Sequence, residues 1–183
     1  MFHGVGPLGF IGLGEMGLPM ARSLLRHGRA LIIHEPDAVA CAALAEGSEP
    51  GAVCFMDTPM AVADVAEVIL LMLPEGGAVT RAMEGPGGLL IGLHGGQLII
   101  DLGSSPPAET RRLAAVAESW GAGYIDALVS GSVAQAEAGQ LRFLVGGEDA
   151  AWAKAEPVLR DMGKTLLRTG ATGSAHAMRA AEH

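Results

Sequence analysis

Short apolar runs alternate along the chain with stretches in which apolar side chains recur every three to four residues. Residues 8–11 form a compact apolar run bounded by glycines, and residues 16–27 follow with Met16, Met20, Leu24 and Leu25 at helical spacing. Residues 31–33 predict a second strand. An Ala-rich helix over 37–44 follows, with Asp37 as its N-cap, and then a third strand over 52–55. Thr58 caps a short helix that opens on Pro59, a residue suited to a first helical position. The run 68–73 reads as a buried strand stopped by Pro74. Residues 77–83 then predict a helix, 98–100 a strand ending at Asp101, 107–120 a long helix and 124–127 a strand. A polar, small-residue loop spans 130–140. A strand over 141–145, a helix over 150–159, a strand over 164–168 and a new helical pattern after Gly173 complete the chain. Apolar strands alternating with helices predict an α/β fold whose parallel sheet is covered on both faces.

Composition narrows the function classes. The 183 residues are 50% hydrophobic and 17% charged, which excludes a disordered chain and fits one domain, or one with a short extension. Net charge is −8 and no stretch clusters lysine or arginine, so an electrostatic nucleic-acid surface is not expected. The longest aliphatic run is far shorter than the ~20 residues of a membrane span. The N-terminal stretch lacks a basic region ahead of its apolar part, so no secretory signal and a cytoplasmic location are expected. Cys41 and Cys54 form neither a disulfide framework nor a zinc spacing and are expected as small buried side chains. His3, His27, His34 and His94 show no ligand spacing, so no metal site is expected.

The first strand-to-helix junction carries G-x-G-x-x-G at Gly12, Gly14 and Gly17. In a glycine-rich chain (27 glycines) the motif alone is weak, and a plain strand–turn–helix connection is the alternative. Its place between a strand and a helix strengthens it. Gly12 would make the tight turn, Gly14 would admit a diphosphate to the backbone, and Gly17 would allow close helix–strand packing. Leu13, Glu15 and Met16 complete the loop, whose helix N-terminus offers amides to phosphates. Glu35 lies 23 residues after Gly12, a spacing that suits a carboxylate bonding ribose hydroxyls. Such a carboxylate repels a 2′-phosphate, which favours NAD over NADP. The alternative for Glu35 is a solvated loop charge.

Residues 9–21, GFIGLGEMGLPMA, closely resemble the opening of the β-hydroxyacid dehydrogenases, a family that includes the 3-hydroxyisobutyrate, tartronate semialdehyde and 6-phosphogluconate enzymes. Met72-Leu73-Pro74-Glu75 resembles the loop that family places beside its cofactor. Residues 101–107 resemble its D-x-S-[ST] segment, and residues 126–132 its D-x-P-V-S-G-G substrate loop. The resemblance implies a Rossmann-type doubly wound, mostly parallel sheet over 1–170, with 171–183 opening an interdomain helix. It also implies hydride exchange between a nicotinamide and a short hydroxy acid. Leu73 and Pro74 become cofactor contacts, and Ser104, Ser130, Gly131 and Ser132 become candidates for holding the substrate carboxylate through hydroxyl and amide donors.

Departures from the pattern matter as much. Leu128 stands for the family's proline, Ser132 for its second glycine and Gly103 for a serine. At the position of the family's catalytic lysine stands Arg179, whose pKa above ~12 bars proton exchange near neutrality. Lys154 and Lys164 read as surface charges, and His176 as a structural or solvated residue on the first turn of the last helix. Glu182 and His183 stand where the family has asparagines, and residues 179–183 read as a truncation scar or an altered reading frame. The family's all-helical second domain is not expected in this chain. An exposed apolar patch around Leu128, Val129 and the last helix, with self-association through it, is the corollary.

The leading expectation is therefore a NAD-binding domain that holds cofactor with little or no turnover. A stand-alone NAD(H)-binding or redox-sensing module is the alternative. An imine-reductase-like relative is a third reading, which Glu35 opposes.

Overall fold

A computed structural model describes residues 6–75 and 77–181, with only the backbone of Ala180. The expectations for residues 1–5 and for Glu182 and His183 fall outside the described residues.

Strands β1 (Leu8–Ile11), β2 (Leu31–His34), β3 (Val53–Phe55), β4 (Val68–Leu71), β5 (Leu98–Asp101), β6 (Gly123–Ser130), β7 (Leu141–Gly146) and β8 (Gly163–Gly170) form one sheet in the order β3-β2-β1-β4-β5-β6-β7-β8. Pairing is parallel throughout except between β6 and β7, where Asp126 faces Gly146 and Ser130 faces Arg142. The α/β expectation holds.

Period-two alternation sends the strand side chains into two cores. Leu8, Phe10, Ile33, Leu70, Ile100 and Ile125 face one side, beneath α1 (Gly17–Arg26), α2 (Ala38–Ala45) and α8 (Asp149–Arg160). Ile11, Ile32, Ile69, Leu71, Ile99 and Tyr124 face the other, beneath α3 (Pro59–Ala63), α4 (Ala78–Glu84), α5 (Leu89–Gly92) and α6 (Pro107–Ser119). Strands buried on both faces explain the unbroken apolar runs in the sequence. Asp37 and Thr58 cap α2 and α3 as expected, accepting from the amides of Val39 and Ala61. No helix among the described residues is long and apolar enough to cross a membrane.

Several expectations need correction. Strand β4 ends at Leu71 rather than Leu73. Met72 still donates to the Ile11 carbonyl, but Pro74 has no N–H to give a continuing ladder. Strand β6 runs to Ser130 instead of stopping at Ala127, because β7 folds back on it and pairs with residues 126–130. The expected loop 130–140 contains α7 (Val133–Glu137), closed by a capping box between Ser132 and Gln135. The single turn α5 carries no helical period and packs against α3, where the Gly92 backbone meets the Met60 carbonyl.

Cys54 is exposed on the edge strand β3, and Cys41 is half-buried with its thiol on the Glu35 carbonyl; neither is a core residue. Leu128 is only 7% exposed, so the apolar patch expected there is absent at that residue. On the last helix, α9 (Ser174–Ala181), Met178 is exposed as expected, and Leu167 on β8 is a further exposed apolar side chain.

Candidate functional site: a crevice at the strand reversal

The sheet reverses its winding between β1 and β4. The chain leaves β1 for β2 on one side and later returns to β4 on the other, which opens a crevice at the carboxyl ends of these strands. A cavity of about 860 Å³ occupies that place, well within the size range of ligand pockets. Glu35 follows β2 and Gly131 follows β6, four strand positions apart, so the crevice spans about 19 Å at ~4.8 Å per strand. An elongated ligand is required to fill it.

The three glycines of the loop answer to three different constraints. Gly12 has φ +101°, and a Cβ there would lie 2.2 Å from the Met72 carbonyl oxygen. At Gly17 a Cβ would lie 2.0 Å from the Gly12 carbonyl oxygen, so only glycine lets α1 start this close to β1. Gly14 has no protein atom within 4 Å of the same position and no left-handed φ. It lines the crevice. Packing demands glycine at positions 12 and 17, while Gly14 leaves bare backbone facing open space. The N-terminus of α1 has no side-chain cap among the described residues and no acidic residue in its first turn. Uncapped amides beside an uncrowded glycine suit a diphosphate.

Glu35 sits just past β2, with one carboxylate oxygen 2.6 Å from the Leu13 amide and the other 2.9 Å from the Asp37 amide. The carboxylate is thus tied to the glycine loop and lines the crevice. Glu15, Met16, Leu73 and Pro74 line it as well. Leu13 does not: its side chain is buried, and its amide is given to Glu35.

Toward β5 and β6 the crevice meets Ser104, Val129, Gly131 and Arg179. Gly131 has φ +145°, and a Cβ would lie 2.7 Å from Leu141. Ser130, though exposed at the end of β6, is not among the described lining residues, nor is Ser132. The Ser132 hydroxyl is occupied in accepting the Gln135 amide at 3.2 Å, and the Gln135 side chain accepts the Ser132 amide at 2.8 Å. The structure therefore brings Ser104, Gly131 and Arg179 together and commits Ser132 to a helix cap.

Behind this end lies a buried polar layer that sequence reasoning passed over. Asp101 and Asp126 are register partners on β5 and β6 and are fully buried. Asp101 accepts from the Gly103 amide at 2.9 Å and the Tyr124 hydroxyl at 2.8 Å, which shapes the turn leading to Ser104. Burial pushes its carboxyl pKa up, against the opposing pull of His176 and these hydrogen bonds. Asp126 accepts the Gly173 amide at 2.6 Å and the His176 amide at 2.9 Å, and so fastens the first turn of α9. His176 is buried, with Nδ1 2.7 Å from the Thr110 hydroxyl, so it is not solvated.

Arg81, Pro59 and Pro86 also line the crevice and had no signal in the sequence beyond following strands that end there. On the flank, Arg112 bridges Glu84 and Glu109, and Thr80 also donates to Glu109. With Arg112 as the main cause, the Glu109 carboxyl is held down to about 2.

Fold and loop together define a dinucleotide-binding domain of the Rossmann type. Residues 7–171 match the family described as the NAD binding domain of 6-phosphogluconate dehydrogenase, and the chain belongs to that family. It is 38% identical over 173 residues to 2-(hydroxymethyl)glutarate dehydrogenase of Eubacterium barkeri, covering 94% of this chain and 56% of that protein. It is 39% identical over 171 residues to human mitochondrial 3-hydroxyisobutyrate dehydrogenase, covering 93% of this chain and 50% of that protein. Among solved structures, Mycobacterium tuberculosis 3-hydroxyisobutyrate dehydrogenase with L-serine superposes with a TM-score of 0.88 at 30% identity, over 98% of this chain and 59% of that one. The chain thus spans about half to three-fifths of the length of the relatives it matches. The resemblance to hydroxyacid dehydrogenases and the assignment of a NAD-binding domain both hold.

Proposed function

We propose that this crevice seats NAD(H) for hydride exchange with a short hydroxy acid or semialdehyde acid, and that the chain by itself binds cofactor with little or no turnover. The observation that carries the first part is the bare backbone at Gly14, open to the crevice beside the uncapped start of α1. In this reading the amides around Gly14 and Met16 hold the diphosphate, and Glu35 bonds the adenosine ribose. Leu73 and Pro74 border the dinucleotide where the chain leaves β4. Bound NAD(H) supplies the hydride acceptor or donor. The protein orients it, excludes water with Leu73 and Val129, and presents Ser104 and the Gly131 backbone to the acid.

The second part rests on Arg179. A guanidinium orients and attracts anions but does not exchange protons near neutral pH, so proton transfer at the alcohol oxygen lacks a partner there. Glu35 also supports NAD over NADP, since a carboxylate tied to the Leu13 amide and lining the crevice would repel a 2′-phosphate.

Fluorescence titration with NADH and NADPH, paired with a sensitive assay of NAD+ reduction by 3-hydroxyisobutyrate, tests both parts. Binding of NADH in preference to NADPH with negligible reduction is expected. No saturable NADH binding overturns the cofactor reading, and turnover near ~10 per second, typical of complete enzymes, overturns the second part.

A further inference from the structure

We propose that Arg179 is the carboxylate seat of the crevice, and that Glu75 is a built-in occupant of that seat which an incoming anion displaces. The inference rests on the reading that the crevice takes a dinucleotide and a hydroxy acid, and it adds which residue recognises the acid.

Arg179 lies on α9 one turn beyond His176, so the two project from the same side of the helix. His176 is buried against Thr110, and its amide is fastened by Asp126; the next turn then carries Arg179 into the crevice. The attachment of α9 is made of buried hydrogen bonds, so Arg179 is mounted on a fixed base. Its guanidinium makes a single polar contact among the described residues, to Glu75 at 3.4 Å. That contact is long, one-pronged and exposed, with the Glu75 side chain 71% accessible. Such a pair contributes little. A guanidinium's preferred partner is a planar carboxylate held by two parallel hydrogen bonds. The Ser104 hydroxyl, in the same crevice, has no hydrogen-bond partner among the described residues.

Charge supports the assignment. The chain carries a net −8, which disfavours an approaching anion over most of its surface. The other carboxylates near this end, Asp101 and Asp126, are buried and engaged with amides and Tyr124. Glu75 is the carboxylate that Arg179 meets, and it competes for the same donors. A short monocarboxylate is the ligand class that fits: small enough to lie beside the dinucleotide and planar enough for the fork.

The test uses the whole chain loaded with NADH, titrated by calorimetry with 3-hydroxyisobutyrate and with its uncharged methyl ester. The acid is expected to bind at least about tenfold more tightly than the ester. Arg179→Met should weaken the acid about tenfold or more, to the level of the ester, while Arg179→Lys retains part of the preference. Glu75→Gln should tighten the acid by about threefold, a gain that misfolding cannot produce. Equal binding of acid and ester, or acid affinity unchanged in both Arg179→Met and Glu75→Gln, overturns the proposal. Titration of NADH alone is the separate control: its failure removes the cofactor reading, whereas acid binding that ignores Arg179 with NADH bound removes only this inference.

Discussion

Replacing Gly14 by alanine separates what the loop does for the fold from what it does for a ligand. The added methyl meets no protein atom within 4 Å, and the backbone there is not left-handed, so the native state accepts it. Loss of glycine's freedom in the unfolded chain even favours folding by about 0.4–1 kcal/mol. The midpoint of thermal unfolding should stay put or rise by about 1–3 °C. Binding should respond in the opposite sense. A phosphate oxygen resting against the bare Cα must retreat by roughly 1 Å, which stretches an amide–phosphate hydrogen bond beyond its useful length. Losing one such charge-assisted bond is worth about 1.5–3 kcal/mol, or about 10- to 100-fold in the NADH dissociation constant. Gly12→Ala is the contrasting variant: its methyl would sit 2.2 Å from the Met72 carbonyl oxygen at φ +101°. That change should cost more than about 3 kcal/mol of stability. Fluorescence titration and thermal melts on the same samples read both quantities. If Gly14→Ala melts like the parent and still binds NADH within about twofold, the loop is not the diphosphate seat.

Three further outcomes follow from the same structure. Glu35→Ala should narrow the preference for NADH over NADPH by about tenfold or more, measured as the ratio of the two dissociation constants; an unchanged ratio would remove Glu35 from the ribose site. Asp126→Ala leaves two buried amides, those of Gly173 and His176, without their acceptor. It should cost about 2–4 kcal/mol and lower the melting midpoint by about 5–15 °C, whereas a shift under about 2 °C would show that α9 is held by other means. Asp101 has its pKa raised by burial, so the folded state holds its proton more tightly than the unfolded chain does. Its contribution is therefore full below the unfolded carboxylate value and declines as pH rises toward the folded one. Asp101→Asn, which preserves an acceptor for Gly103 and a partner for Tyr124, should flatten that decline in melts recorded from pH 4 upward, and an unaltered slope would place the titrating group elsewhere.

The sheet, its two covered faces and the glycine loop were legible because they are written locally. Apolar runs of four residues between glycines and prolines mark the strands, and Gly12, Gly14 and Gly17 sit at fixed offsets after the first of them. What the sequence hid depends on distant partners. The extension of β6 to Ser130 exists only because β7 lies against it. Asp126 acts on amides 47 and 50 residues further on, and no spacing rule reaches that far. Ser132 looked like a substrate donor by position, yet Gln135 three residues later is the signature of a capping box, and that local chemistry claims the hydroxyl. Arg81 entered the crevice by topology alone: it is the one cation of a helix that follows a strand ending there.

The lone antiparallel pairing in the sheet decides where the chain is heading when it reaches its final helix. Strand β6 overshoots β5 by four residues, roughly 13 Å, before β7 doubles back down to the level of Asp126. With β8 parallel to β7, the backbone arrives low beside the carboxylate pair and sets off upward again. Had β7 continued in the common direction, β8 would have finished at the rim and the next helix would have descended away from it. The U-turn launches α9 toward the crevice instead, so that its second turn brings Arg179 to the crevice wall.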